Sequence, residues 1–225
     1  MNTNKEHIKI AILDDEILFR NSFQSLLMME RDFQLVFSGN NGSEFLEYLK
    51  DKENIHPDIV LIDIRMPVLN GMDTNKILTK DYPAIKCIAL TIFDSMIFKK
   101  QMLHHGVVGY ITKNAMPDEV FNTIRQVNEK GFSFDSEMIQ LIVQMKITGK
   151  EHQKANPYLL SEREKEVLKL IGKQYTNKEI ANQLFISERT VEGHRNNMIT
   201  KTASKNIIGL ILWGINHQVV DLEIR

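Results

Sequence analysis

The sequence predicts an α/β fold in which a doubly wound, five-stranded parallel sheet is followed by a small all-helical domain. Up to about residue 130, short apolar runs typical of buried strands alternate with segments whose apolar residues recur at helical spacing. Beyond about residue 157 no strand pattern remains, and helical spacing continues alone. A chain of 225 residues is long enough for two ordinary domains.

The first part contains five strand-like runs and five helical segments in alternation. The strands are predicted at 8–13, 33–38, 58–63, 86–91 and 108–112. The helices are predicted at 17–30, 42–51, 72–80, 95–105 and 117–130. Pro117 suits the first turn of the last helix. Such alternation favours a parallel, doubly wound sheet. The sequence contains neither a GxGxxG nor a Walker loop, so it gives no support to nucleotide binding by this fold.

The second part follows a connecting segment. An amphipathic helix is predicted at 136–147, and the polar stretch 147–157, which contains Gly and Pro, predicts an interdomain linker. Four short helices are predicted after it, at 161–173, 176–184, 188–202 and 206–217. Ser161 and Glu164 have the spacing of a capping box at the start of the first helix, and Ser187 can cap the third. The predicted domains are therefore 6–130 and 157–222, joined by a linker helix and flexible linker at 131–156.

The composition excludes several classes of protein. The single cysteine, Cys87, rules out an internal disulfide framework and a cysteine zinc cluster. The longest apolar stretch, 207–215, is well short of the ~20 residues of a membrane span, and the N-terminus lacks a secretory signal, so we expect a cytoplasmic protein with no membrane partner. The net charge is −1, but residues 155–225 hold ten Lys and Arg against eight Asp and Glu. This mild excess permits nucleic-acid binding without demonstrating it.

The predicted strands end in groups suited to phosphate chemistry. The first strand stops at Asp14 and Asp15, the third at Asp63, the fourth at Thr91, and the fifth at Lys113. In an open α/β sheet, residues just past the carboxyl ends of neighbouring strands converge on one crevice. Three carboxylates and one ammonium gathered there predict a site for a divalent cation and a phosphoryl group.

The chemistry of this crevice favours Mg²⁺, which prefers oxygen ligands and is commonly held by one or two carboxylates. Asp15, Asp63 and a backbone carbonyl just after Asp63 could bind the ion, with Asp14 acting directly or through water. Asp63 could also act as a nucleophile and form an acyl phosphate. Taken singly, an aspartate pair after a strand often only caps a helix, and a lone lysine is usually solvated. The occurrence of such groups at four separate strand ends favours the functional interpretation.

Four motifs, LDDE (13–16), LIDIRMPVLNG (61–71), ALT (89–91) and YITK (110–113), resemble the receiver domain of two-component response regulators. The resemblance covers about residues 6–130 and implies a flavodoxin-like, CheY-like fold. It implies that Asp63 accepts a phosphoryl group from a sensor histidine kinase. The other roles it implies are Mg²⁺ binding by Asp14, Asp15, Asp63 and the backbone carbonyl of Arg65, phosphoryl binding by Thr91 and Lys113, and rotation of Tyr110 on activation.

The helices predicted at 176–184 and 188–202 are joined by a short turn, a geometry that fits the major groove of DNA. His194, Arg195 and Lys201 could neutralise phosphates, while Asn196 and Asn197 could reach base edges. Many pairs of helices have no connection with DNA, so the pattern leaves open a module that binds other proteins.

Three segments, LSEREKEVLKLI (160–171), TNKEIANQLFIS (176–187) and TVEGHRNNMITK (190–201), are similar to the helix-turn-helix of the LuxR/FixJ/NarL class of transcription regulators. With the receiver, the resemblance implies a NarL/FixJ-type regulator that binds double-stranded DNA and forms a homodimer when phosphorylated. The residues predicted to contact DNA are Lys178, Arg189, Thr190, Glu192, Gly193, His194, Arg195, Asn196, Asn197 and Lys201.

Three positions depart from the usual residues of that class. Gln174 replaces a glycine after the first helix, and Thr202 replaces a leucine. Glu192 stands where a base-reading lysine is frequent, and its carboxylate would repel phosphates but could accept a hydrogen bond from a cytosine amino group. We therefore expect an operator unlike those of relatives with the lysine.

The last predicted helix is apolar around most of its circumference. We expect that so small a domain cannot bury all of its large side chains, and the resemblance implies dimerisation through them. The residues concerned are Ile208, Ile211, Trp213 and Ile215. The alternative is that the helix only completes the core of the domain.

Two other functions compete with phosphorylation-controlled DNA binding. A phosphatase of the haloacid dehalogenase type also uses a carboxylate nucleophile and Mg²⁺, but it requires a DxDx[TV] run, and Asp63 is followed by Ile64 and Arg65. The other is a receiver that signals through protein contacts instead of DNA.

Overall fold

The computed structural model describes residues 7–92, 96–148, 160–204 and 206–220, without the side chains of 96–98, 104 and 143–148. The chain divides into two compact units, Met1–Asn128 and Glu129–Arg225. Within the described ranges, no helix is both long and apolar enough to cross a membrane.

The first unit contains a five-stranded sheet with the order β2-β1-β3-β4-β5, in which every neighbouring pair is parallel. Its strands are β1 (Ile8–Leu13), β2 (Phe33–Gly39), β3 (Ile59–Asp63), β4 (Lys86–Thr91) and β5 (Gly109–Thr112). The predicted doubly wound sheet is confirmed. Because β3 lies beside β1 on the side away from β2, the strand order reverses between β1 and β3, and such switch points are where open α/β sheets place their sites.

The helices between and after these strands agree with the sequence pattern except at their ends. They are α1 (Ile17–Leu27), α2 (Gly42–Lys50), α3 (Gly71–Asp81), α4 (Met96–His104) and α5 (Pro117–Lys130). The prediction extended α1 to residue 30 because Met28 and Met29 continue its apolar spacing, but both side chains are exposed. The predicted start of α4 at residue 95 lies outside the described residues.

The core of the first unit explains why its central strands are continuous apolar runs in the sequence. All five residues of β3 are buried, and Phe45 of α2 and Leu78 of α3 are buried in the same apolar cluster as Val60 and Ile62. Each such Leu, Ile or Phe contributes about 1.5–3 kcal/mol through burial. The sheet therefore provides a rigid support for the groups at its carboxyl edge.

The second unit is helical. Its helices are α6 (Ser136–Thr148), α7 (Glu162–Gly172), α8 (Asn177–Leu184), α9 (Glu188–Lys201) and α10 (Ile207–Asn216), and the last two residues of α5 also belong to it. The predicted capping box of Ser161 and Glu164 is present at α7, and Thr176 forms a second one with Glu179 at α8. Helix α6, which we assigned to the linker, packs on α10. The part of the predicted linker from 149 to 157 lies outside the described residues.

The expectation that α10 is too apolar to be buried is wrong. Ile208, Ile211, Trp213 and Ile215 are only 2%, 5%, 4% and 5% exposed. The reason is that α10 packs on three helices, α6, α7 and α9, so the unit has more covering surface than the four predicted helices supply. Dimerisation through these four residues stays a prediction, and it would require them to leave partners within their own chain.

Candidate functional site

The carboxyl edge of the sheet brings together groups from β1, β3, β4 and β5. Asp14 follows β1, and Asp63 ends β3, the neighbouring strand. Lys113 follows β5, and its backbone N–H donates to the Thr91 carbonyl at 2.8 Å, which continues the pairing of β5 with β4. The sheet topology therefore gathers four of the groups that the sequence analysis placed at strand ends.

The Lys113 ammonium lies among three carboxylates. Its Nζ is 2.8 Å from Asp14 Oδ2, 2.7 Å from Asp63 Oδ2 and 2.6 Å from Glu16 Oε1. The Phe19 ring, with its centroid 4.6 Å from the same nitrogen, packs against this group. Because one ammonium contacts three carboxylates, the cluster carries excess negative charge and is suited to binding a cation.

Burial and charge act in opposite directions on the ionisable groups of the crevice. Burial raises the pKa of the Asp14 carboxyl above its ordinary value, although Lys113 partly opposes this. Burial alone would lower the pKa of Lys113, but its contacts with Asp14, Asp63 and Glu16 outweigh burial and raise it. Lys113 is therefore held in its charged form, while ionised Asp14 is costly to bury.

The two oxygens of Asp63 have different partners. Oδ2 binds Lys113, and Oδ1 accepts a hydrogen bond from the backbone N–H of Arg65 at 3.0 Å. The following turn is held close to the strand because Gly71 N–H donates to the Ile64 carbonyl at 3.1 Å, and a Cβ at Gly71 would overlap the Asp63 carbonyl oxygen. Glycine is thus required at the start of α3 to fix the position of Asp63.

The carboxylates that lie close enough together to hold a metal ion are two of the predicted ligands, Asp14 and Asp63, together with Glu16. Ligand oxygens of Asp14, Glu16 and Asp63 lie within 4.8 Å of one another, and Asp15, which is exposed like Glu16, is not a member of this group. Sequence reasoning missed Glu16, and the available signal was a third acidic residue directly after the aspartate pair. Three carboxylates fit the hard oxygen ligands that Mg²⁺ prefers. A ligand role for Asp15 and for the Arg65 carbonyl stays a prediction.

Thr91 and Tyr110 lie on β4 and β5, beyond β3 in the sheet. Thr91 is buried, and it follows Leu90, the residue that pairs with Asp63. Tyr110 is half-buried on β5, and the Nζ of the buried Lys99 lies 5.1 Å from the centroid of its ring. These positions fit a hydroxyl near the Asp63 carboxylate and an aromatic ring that could move. Both roles stay predictions.

The second candidate site is the helix pair α8 and α9. Phe185 adopts a left-handed conformation between them, and the Ile186 N–H donates to the Ala181 carbonyl at 3.0 Å. Ser187 caps α9 by accepting from the Thr190 N–H at 3.1 Å, as its position in the sequence predicted. Eight of the ten residues predicted to contact DNA are exposed: Lys178, Arg189, Thr190, Glu192, Gly193, Asn196, Asn197 and Lys201.

Three of the residues predicted to contact DNA are either partly or fully buried or bound to another group of the unit. His194 is half-buried. Arg195 is only 8% exposed, and its guanidinium donates to Asn177 Oδ1 at 2.6 Å and to the Lys130 carbonyl at 2.8 Å. Lys201 is exposed, but its Nζ lies 2.8 Å from both carboxylate oxygens of the buried Glu164. The side chains of Arg195 and Lys201 are therefore bound to other groups of the second unit. This occurs because elements other than α8 also cover α9.

Both parts of the chain match known family models. Residues 10–125 match the model described as the response regulator receiver domain. Residues 158–213 match the model described as bacterial regulatory proteins, luxR family.

Curated relatives match along nearly the whole chain. The transcriptional regulatory protein LnrK of Bacillus subtilis (strain 168) is 35% identical over 219 residues, which cover 94% of this chain and 98% of the relative. The oxygen regulatory protein NreC of Staphylococcus aureus (strain JH9) is 31% identical, with 95% and 100% covered. Among solved structures, the complex of the response regulator RcsB with DNA matches with a TM-score of 0.54 and 19% identity over 94% of this chain and 99% of that one. At this identity the likeness to RcsB shows the fold alone.

Proposed function

The chain belongs to the response regulators that join a receiver domain to a LuxR-type DNA-binding domain, and on that premise we propose that phosphorylation of Asp63 controls its binding to DNA. The observation that supports Asp63 is the contact of Lys113 Nζ with Asp14, Glu16 and Asp63 at the switch point of the sheet. Asp63 is the member of this group that ends its strand and is held at both oxygens of its carboxylate.

The proposed reaction is a transfer from a phosphohistidine of a sensor histidine kinase. An Asp63 carboxylate oxygen attacks the phosphorus, the bond between phosphorus and the histidine nitrogen breaks, and its electron pair stays on that nitrogen. An acyl phosphate forms on Asp63. Lys113 neutralises charge on the phosphoryl oxygens, and Thr91 donates its hydroxyl to one of them. The receiver acts on its own side chain, so we propose no turnover of a separate substrate.

Asp14, Glu16 and Asp63 are proposed to hold Mg²⁺, with Asp15 and the Arg65 carbonyl as further candidates. Bound Mg²⁺ supplies positive charge that offsets the charge of the phosphoryl oxygens. The carboxylates orient this charge at the switch point, while Lys113 keeps a permanent positive charge beside Asp63.

The phosphoryl group is proposed to change the surface around Tyr110 and thereby to increase DNA binding by the second unit. Double-stranded DNA would bind on the exposed side of α8 and α9, with Asn196 and Asn197 at base edges and Arg189 at a phosphate. We also propose a cytoplasmic location, where a sensor kinase can be the phosphoryl donor, and a homodimer in the phosphorylated state.

The test is labelling of the full chain with acetyl phosphate that carries labelled phosphorus, with and without Mg²⁺. We expect Mg²⁺-dependent incorporation that survives gel electrophoresis and is lost in Asp63→Asn. Asp81→Asn, which changes an exposed aspartate at the end of α3, is the matched control and should label like the unchanged chain. Incorporation that persists in Asp63→Asn contradicts Asp63 as the acceptor.

A further inference from the structure

The exposed side of α9 has a glycine at its centre. The buried residues of this helix, Val191, Arg195 and Met198, lie together on one side of it. Gly193 is two residues away from both Val191 and Arg195, and at about 100° per residue this places it on the opposite side. Gly193 is exposed. It therefore lies in the middle of the surface that α9 presents to a partner.

The exposed side chains around Gly193 are polar. Arg189 lies four residues before it, and Asn196 and Asn197 lie three and four residues after it, so they share its side of the helix. Arginine and asparagine can donate hydrogen bonds to DNA phosphates and to base edges. Gly193 is therefore a gap between side chains that are suited to contacting DNA.

Packing within the described part of the chain does not explain this glycine. Glycine inside a helix is unfavourable relative to alanine, because it loses more conformational freedom on folding. A Cβ at Gly193 would meet no atom within 4 Å outside its own stretch of helix, so alanine would fit there without strain. The glycines of α7 and α10 differ, because a Cβ at Gly172 or Gly214 would overlap the Val220 side chain. We infer that the need for glycine at 193 comes from a bound partner.

The gap at Gly193 is apolar. Gly193 lies inside α9 (Glu188–Lys201), so its N–H and its carbonyl are used by hydrogen bonds within the helix. The Cα methylene, which forms no strong hydrogen bond, is what it presents to a partner. On the major-groove edges of the bases, the donors and acceptors need polar partners, whereas the 5-methyl group of thymine does not. A thymine methyl is therefore the base-edge group that can lie against Gly193 without losing a hydrogen bond.

We propose that the gap at Gly193 admits the 5-methyl group of a thymine, so that this glycine makes α9 select thymine at one position of its DNA site. Glycine and alanine differ by one methyl group, and here the DNA supplies the methyl that the protein lacks. Alanine at 193 would place its own methyl in the same space and would move α9 away from the bases. The proposal rests on the proposed function in assuming that α9 reads the major groove.

The first experiment compares thymine with uracil, which lacks only the methyl group. Duplexes that bind the unchanged full chain are selected from random DNA, and each thymine of the selected sequence is replaced in turn by deoxyuridine. Fluorescence anisotropy is measured with the chain treated with acetyl phosphate. At one position the replacement should lower the affinity by about four-fold, the effect expected for one buried methyl group. Equal affinities at every position overturn the proposal.

The second experiment repeats this comparison with Gly193→Ala, which should reverse the preference. Its affinity for the thymine duplex should fall about ten-fold, as for loss of one base contact, because the two methyl groups overlap. It should bind the uracil duplex more tightly than the thymine duplex. If Gly193→Ala loses affinity equally for both duplexes, the group in the gap is not a thymine methyl and the proposal is wrong.

Asn182→Ala is the matched control for helix stability. Asn182 is exposed inside α8 and is not among the predicted DNA contacts, and alanine is the better helix former there as well. Both variants should raise the midpoint of denaturant unfolding, but Asn182→Ala should keep the preference for thymine. A reversed preference in Asn182→Ala would show that the reversal follows helix stability and would overturn the role of Gly193.

Arg189→Ala separates a failure of this proposal from a failure of the proposed function. It should weaken binding of both duplexes and keep the preference for thymine. If Arg189→Ala lowers the affinity but Gly193→Ala changes neither affinity nor preference, then α9 reads DNA and the role of Gly193 is wrong. If neither variant changes DNA binding, then α9 does not face DNA and both proposals are wrong.

Discussion

The crevice of the first unit and the helix pair of the second unit hold their functional side chains in different ways. In the crevice, Lys113 contacts both Asp14 and Asp63 directly, and each of the three is placed by the end of a strand. On α9, two of the basic candidates, Arg195 and Lys201, contact groups elsewhere in the unit instead of one another.

The difference shows what each kind of site requires. A strand end fixes both the position and the neighbours of a side chain, because parallel strands share one edge. A helix fixes only the direction in which a side chain points, and what it meets there depends on the packing of other elements. The crevice is therefore a property of the sheet, whereas the DNA-binding surface depends on what covers α9.

The largest expected effect is on DNA affinity. It should appear when Arg189, an exposed cation of the second unit, is replaced and the result is compared with replacement of Lys201, a cation bound to Glu164. Arg189→Ala should lower DNA affinity about ten-fold, the usual size for loss of one arginine contact. Lys201→Ala should change DNA affinity much less, because Lys201 is bound to Glu164. It should instead lower the free energy of unfolding by about 1 kcal/mol, since a buried carboxylate loses its partner. Anisotropy and denaturant unfolding of the same samples separate the two effects.

The DNA affinities of Arg189→Ala and Lys201→Ala can also contradict this distinction between exposed and bound cations. If Lys201→Ala lowers DNA affinity as much as Arg189→Ala while stability is unchanged, then the engaged cations of α9 are direct DNA contacts and the distinction between the two surfaces fails.

The next largest effect is expected in the crevice, where Asp14 is replaced. Asp14→Asn should weaken Mn²⁺ binding, measured by electron paramagnetic resonance as a probe for the Mg²⁺ site, and should raise the free energy of unfolding of the first unit by on the order of 1 kcal/mol. The gain is expected because burial raises the pKa of Asp14, so the folded state holds a proton there more tightly than the unfolded chain. The contribution of protonated Asp14 to stability is therefore present at pH below the unfolded pKa and is lost as pH rises through the folded pKa.

The amide introduced by Asp14→Asn is neutral at every pH, so the gain should appear at pH 7 and shrink in acid. Asp81→Asn again serves as the control, with no effect on Mn²⁺ binding. Loss of stability at pH 7 in Asp14→Asn would show that the ion pair with Lys113 outweighs the burial of Asp14.

The sequence was sufficient to predict the sheet and the meeting of Asp14, Asp63 and Lys113, because the apolar runs predict the strands and these residues follow or end them. It was insufficient for Glu16, whose approach to Lys113 depends on how α1 begins. It was also insufficient for Arg195 and for the burial of α10, since both depend on the packing of the segment from Glu129 to α6. That packing is a tertiary property with no signal in the periodicity of either helix.

The smallest effect is expected at Gln174, where the sequence departs from the usual glycine. Gln174 has φ +64°, and its N–H donates to the Ile171 carbonyl at 2.9 Å just after α7, so a residue with a Cβ is held in the left-handed region. Gln174→Gly should raise the free energy of unfolding of the second unit by about 0.5–1 kcal/mol, after the greater flexibility of glycine in the unfolded chain is subtracted. Lys173→Gly is the matched control, because Lys173 has φ −83° and gains no relief, so it should lower stability. Equal changes in the free energy of unfolding for the two variants, measured by denaturant unfolding, would show that the left-handed conformation of Gln174 carries no strain.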